Sequence, residues 1–183
     1  MSKILISGYY GFANAGDEAM LTAIIESLRQ VEKNVELTVL SGNPEDTAAK
    51  HQVCSVYRFN PLGIIRAMKD SELIISGGGS LLQDVTSKRS LLYYLSIIGL
   101  GKFFGKKVML FAQGIGPIRA KWARKLTSLV CNEADLITVR DSESAAELIE
   151  MGVKPEKITV TADSVLSLNP VTKECGQYLL QEA

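Results

Sequence analysis

Two side chains have the types and settings that acid–base and anion chemistry require. Asp17 closes a glycine-bearing run, GYYGFANAGD over residues 8–17, at the start of a helical pattern. Arg140 ends the run DLITVR over residues 135–140, with Asp141 beside it. A carboxyl group at a helix start either caps the helix and meets its dipole, or faces a cleft as an acid/base or hydroxyl-binding group. An arginine at the end of an apolar run must be paired. It either ties loops together through a carboxylate or serves as a fork for a carboxylate or phosphate. Further groups recur in similar places: Gly77-Gly78-Gly79-Ser80 with Gln83 and Asp84, then Gln113-Gly114-Ile115-Gly116-Pro117, then Asp163-Ser164. Three successive glycines permit positive φ and close backbone approach. They suit a tight turn or a surface on which a substrate is pressed, and the Gln113 run is equally open between turn and site.

The elements that must position these groups alternate. Apolar runs at residues 3–7, 35–40, 52–57, 72–76, 107–112, 135–140 and 157–162 read as strands. Helical spacing or helix-start signals mark 17–31, 44–50, 61–69, 87–105, 119–133 and 141–151, the last stopped by Gly152. Strands of nearly continuous Ile, Leu and Val, each followed by a helix, are buried on both faces of a parallel sheet. The expected fold class is α/β, a Rossmann-like doubly wound and mainly parallel sheet. Ligands then bind beyond the carboxyl ends of the strands, where the polar and glycine groups above converge. The domain is expected to run over residues 1–168. Residues 169–183 read as the start of an inter-domain linker or the tail of a truncated chain.

Composition narrows the partners. Of 183 residues, 46% are hydrophobic, which argues against intrinsic disorder. Lys plus Arg and Asp plus Glu both number 20, so broad electrostatic binding to nucleic acid is not expected. Cys54 and Cys131 lie in apolar contexts and read as buried free thiols; Cys175 is remote from both, and a reducing cytoplasm fits. The start of the chain does not read as a signal peptide. The apolar run of residues 91–101 is shorter than the roughly 20 residues of a membrane span and reads as a buried helix. Lysines near 102–107 and 119–125 read as solvated helix ends; with Trp122 they offer a peripheral membrane contact as the alternative. The single histidine, His51, reads as a surface residue, and no metal-ligand spacing or G-x-S-x-G elbow is present. The first loop is not G-x-G-x-x-G, and Ser41-Gly42 ends the second strand where a ribose-binding acid would stand, so a dinucleotide is disfavoured.

Four stretches in order, GYYGFANAGDEAML, LIISGGGSLLQD, FAQGIGP and ITVRDSESAAEL, resemble the polysaccharide pyruvyl transferase family. The resemblance implies the N-terminal half of a GT-B-like fold with its active site between two Rossmann-like domains. It implies transfer of pyruvate from phosphoenolpyruvate, as donor substrate and without a cofactor, onto two hydroxyls of a sugar. In bacterial cell-wall members that sugar is an N-acetylmannosamine on a lipid carrier, and the 4,6-ketal product anchors surface-layer proteins. Matched residue by residue, Arg140 is expected to hold phosphoenolpyruvate, and Asp17 to act as acid/base or to bind the acceptor hydroxyl. Gly8, Asn14, Gly16, Gly78, Gly79, Ser80, Asp84 and Gln113 complete the expected substrate-binding set, with no metal. The family's histidine and basic residues from the second half have no counterpart here, and His51 is not their equivalent. A chain limited to this half is expected to be inactive, and to work in the cytoplasm or at the inner face of the membrane. Two other uses of the fold remain: a glycosyltransferase half-domain that binds a sugar nucleotide, and a non-catalytic module whose open face binds a partner.

Overall fold

A computed structural model describes residues 1–85 and 87–168. Seven strands form one parallel sheet: β1 (Lys3–Tyr10), β2 (Glu36–Ser41), β3 (Cys54–Tyr57), β4 (Leu73–Gly77), β5 (Lys107–Gln113), β6 (Leu136–Val139) and β7 (Ile158–Val160). Six helices connect them: α1 (Ala15–Val31), α2 (Pro44–His51), α3 (Pro61–Asp70), α4 (Lys88–Phe103), α5 (Lys121–Glu133) and α6 (Ser142–Glu150). The strand order is β3-β2-β1-β4-β5-β6-β7. The chain therefore winds outward from β1 in one direction, returns, and winds outward from β4 in the other. β1 and β4 flank the switch point, where the loops after them leave in opposite directions and open a crevice. This is the Rossmann-like class that the strand–helix alternation implies.

Right-handed crossovers set the layers. Leu5, Ile74, Val108, Leu110 and Ile137 pack on one face with residues of α3, α4, α5 and α6. Ile4, Ile6, Val39 and Ile75 pack on the other with Leu21, Ile24 and Ile25 of α1. Neighbouring residues of β1 thus serve opposite layers, which is why the strand is apolar throughout. Each fully buried Leu or Ile contributes about 1.5–3 kcal/mol, and Leu5, Ile6, Ile74 and Leu110 are all at or near zero exposure.

Three expectations change. β1 runs on to Tyr10 rather than ending at residue 7, because Gly8 is a buried strand residue. Its missing side chain leaves room for the ring of Tyr10, whose Cζ would lie 2.3 Å from a Cβ at Gly8. Cys131 is buried, but Cys54 is exposed because β3 is the sheet edge; Cys175 lies outside the described residues. His51 is not a surface residue. Its side chain is 9% exposed, and its Nε2 lies 3.3 Å from the Glu18 carboxylate. The proposed linker at 169–183 also lies outside the described residues. Among the described residues, no helix is long and apolar enough to cross a membrane.

Candidate active site

A cavity of about 380 Å³ opens at the switch point, lined by Tyr9, Asn14 and Asp17 from the β1–α1 segment and Ser80, Leu81 and Gln83 after β4, with Ser90 and Tyr94 of α4. A larger hollow of about 460 Å³ lies beside β3 and α3, away from the strand ends that carry these groups. Local rules place each wall. Asn14 is the N-cap of α1, its side chain accepting from the N–H groups of Gly16 and Asp17. Asp17 is thus free of capping duty. Burial, followed by the charge of Glu18, raises its pKa above the usual carboxylate range. Glu18 faces away, accepting from the Gly11 N–H at 2.8 Å and pairing with His51.

The loops after β4 and β5 run side by side. Gly114 N–H donates to Gly79 O, Gly116 N–H to Leu82 O, and Leu82 bridges Ile115 in parallel. Arg140, just past β6, reaches across this pair. Its Nη2 donates to Ser80 Oγ at 3.3 Å, its Nε lies 3.3 Å from Asp141 and its Nη1 3.5 Å from Asp163. The side chain is 35% exposed. Asp141 also caps α6, and its bonds to Ser144, then to Arg140, hold its carboxyl below the usual range. Arg140 therefore does tie three strand ends together, and it does so with contacts long enough for an incoming anion to compete.

The polysaccharide pyruvyl transferase family model matches residues 14–174. The chain belongs to that family. Solved structures with the same fold include Alr3699/HepE of Anabaena, crystallised with UDP and glucose. It is 13% identical with a TM-score of 0.66, and the match covers all of this chain and 50% of that one. A glycosyltransferase of Rickettsia africae is 11% identical with a TM-score of 0.60, over 99% of this chain and 49% of that one. UDP-GlcNAc 2-epimerase of Neisseria meningitidis, bound to UDP-GlcNAc, is 15% identical with a TM-score of 0.54, over 91% and 47%. This chain thus spans about half the length of these structures, and at such identity they share the fold alone. No curated protein sequence matches it.

Within this pyruvyl transferase-family domain, Asp17, Asn14 and Ser80 meet at one cavity, and Arg140 touches it through Ser80. The remaining expected residues do other things. Gly8 lies inside β1 and accommodates Tyr10. Gly16 sits in the first turn of α1 with its N–H taken by Asn14. Gly78 and Gly79 have φ of +77° and +71°, so they make the turn that only glycine takes easily. Their N–H groups are already directed at Phe111 O and Met20 Sδ, which supports the turn reading over an anion cradle. Asp84 is turned to the next loop, accepting from the backbone N–H groups of Arg119 and Ala120. Those bonds hold its carboxyl below the usual range. Gln113 is wholly enclosed, its amide nitrogen 3.5 Å from Ser76 Oγ. The pleat decides this: a strand-end residue faces either the crevice or a neighbouring strand.

Sequence reasoning missed Tyr9, Ser90 and Tyr94. Ser90 and Tyr94 are four residues apart in α4 and so share one helix face, a signal that an apolar helix conceals. It also missed Arg58, which directly follows β3 at the same sheet edge as the other strand-end groups.

Proposed function

We propose that this domain forms one wall of a pyruvyl transferase active site, taking phosphoenolpyruvate as donor and a cell-wall polysaccharide precursor sugar, an N-acetylmannosamine, as acceptor. The observation that carries the reading is the Arg140–Ser80 contact at the edge of a cavity whose other wall bears Asp17, in a chain of this family. Phosphoenolpyruvate presents a carboxylate and a phosphate, and a guanidinium fork suits either. Arg140 would exchange its long contacts to Asp141 and Asp163 for the donor's oxygens while Ser80 keeps the fork aimed.

The reaction needs an acid, a base and two hydroxyls. Protonation of the donor's methylene carbon leaves a cationic centre at C2. One sugar hydroxyl adds there and loses its proton to a base; the second hydroxyl then displaces phosphate. One hydroxyl proton in net ends on the methyl group and one on phosphate, so the sum is sugar plus donor to ketal plus phosphate. Asp17, with its raised pKa, suits the proton transfers or the grip on the acceptor hydroxyl. The other acid–base groups belong to a second half of the enzyme, and this domain by itself is expected to be inactive. An acceptor on a lipid carrier would bring the site to the inner face of the membrane, and the exposed Phe103 and Trp122 of α4 and α5 offer apolar contacts there.

The test is phosphate release by the full-length protein from phosphoenolpyruvate with a lipid-linked amino sugar. Absence of phosphate release with every hydroxyl acceptor tried would end the proposal, and turnover of a nucleoside-diphosphate sugar would put a glycosyltransferase in its place. Arg140→Ala in the full-length enzyme should raise KM for phosphoenolpyruvate about 10- to 100-fold, the range for losing a charge-assisted contact of roughly 1.5–3 kcal/mol. Unchanged KM and kcat would remove Arg140 from the site.

A further inference from the structure

Arg58 is the charged side chain that the site described so far leaves without a use. It is 5% exposed. Five aromatic rings surround its guanidinium carbon, with centroids at 4.4 Å (Tyr93), 5.2 Å (Phe59), 5.3 Å (Phe12), 5.5 Å (Tyr94) and 5.9 Å (Tyr9). Nη2 donates to the Tyr94 hydroxyl at 3.3 Å. Nε and Nη1 are buried and have no acceptor among the described residues. No ion pair among the described residues includes Arg58.

Ring faces offset part of the burial of a cation, but they accept from N–H groups poorly, and a buried charge with unmet donors is strongly disfavoured. Two more buried groups share the fault. Ser7 Oγ and the Tyr93 hydroxyl meet no partner in good hydrogen-bond geometry among the described residues, although Tyr93 lies close to both Ser7 and Arg58, and its burial pushes its pKa up to about 12. The cluster thus combines one cation and several unused donors with no carboxylate, and what would complete it is an external acceptor with negative charge.

We propose that Arg58 is the base of an oxyanion-binding site that takes a phosphate ester or a carboxylate on Nε and Nη1, with the Ser7 and Tyr93 hydroxyls as further donors. The way in is the 380 Å³ cavity, because Tyr9 and Tyr94, two of the rings around the guanidinium, also line it. Tyr9 is 40% exposed and stacks on Phe12, itself 42% exposed, at 4.3 Å and 13°. Rotation of that pair uncovers Arg58 toward the cavity. This site stands at the end of β3, whereas Arg140 follows β6, so it does not depend on the role given to Arg140. A cleft with both would grip two anionic groups at once.

Calorimetric titration of the full chain tests it, with inorganic phosphate, acetate and glucose 1-phosphate as separate probes at constant ionic strength in chloride. An Arg140→Gln background removes the other arginine from the readout. Phosphate or acetate should bind, and the stronger of the two identifies the oxyanion. Arg58→Met should weaken binding about 10- to 100-fold while the ligand-free protein melts no lower, since an unpaired buried charge has been removed. Arg58→Lys, which keeps charge without the fork, should fold and bind with intermediate affinity. No binding by the Arg140→Gln chain overturns the proposal. So does equal affinity in Arg58→Met, or, where Arg58→Met does not fold, equal affinity in Arg58→Lys; either would leave Arg58 as packing among rings.

Discussion

Gly114 is the residue on which the Arg140 contact turns. A Cβ there would lie 2.7 Å from Arg140 Cζ and 2.7 Å from Ser80 Oγ, inside any real contact. Gly114→Ala should therefore push the guanidinium off Ser80 and raise KM for phosphoenolpyruvate in the full-length enzyme by about tenfold or more. The far-UV circular dichroism should stay as in the wild type, and an unchanged KM would show that Arg140 reaches its ligand without Ser80. Asp17 carries a different signature. Its folded pKa is raised by burial and by Glu18, so the folded chain holds that proton more tightly than the unfolded chain, whose carboxyl titrates near about 3.9. Stability from this group is fully present below that value and declines as pH rises through the folded pKa. Asp17→Asn should lose this pH dependence, so the difference in melting temperature between variant and wild type shifts in the variant's favour between pH 3 and pH 7. A difference that stays constant across that range would mean that Asp17 is as well solvated as a surface carboxylate.

Among elements, the pairing of β1 with β4 matters most, since their divergent loops make the crevice. The strands are joined at the rim by a side chain as well as by the ladder: Tyr10 donates its hydroxyl to Gly77 O at 2.5 Å from full burial. Burial moves the Tyr10 pKa far up, followed by the charge of Asp17, so this clasp does not titrate in any ordinary buffer. Tyr10→Phe should lower stability by about 1 kcal/mol, the usual net value of such a bond, read from the midpoint of a urea titration with unchanged slope. An unshifted midpoint would make the clasp incidental. The same stretch shows what is legible in a sequence and what is not. Seven strands and six helices are visible from apolar runs and helix-start signals, because burial on two faces and caps such as Asn60 and Asp141 leave a mark in residue type. The end of β1 is hidden because a glycine that makes room for a ring looks like a glycine that makes a turn. Orientation is hidden too. Position at a strand end singles out Asp17 and Ser80, which line the cavity, and Arg140, which contacts Ser80, but it cannot tell them from Gln113, turned into the sheet, or Asp84, turned to the loop before α5.

Among the described residues, α3 to α6 pack on one face of the sheet and α1 on the other, with the crevice where the two windings part. The components of the cavity come from separate segments, β1–α1, the loop after β4 and α4, with Arg140 after β6 at its edge. These segments are not contiguous, which is why four sequence stretches could suggest the family but not the geometry. The Tyr10–Gly77 clasp joins residues 67 positions apart. Parallel strands cannot meet through a tight turn, and closing so long a segment is slow compared with forming local helices. A chain leaving the ribosome therefore carries the first wall early, with β1, α1 and β2 already available, yet has no crevice until Gly77 and Ser80 have followed. A crevice built from both β1 and β4 cannot exist before both strands have been made and paired.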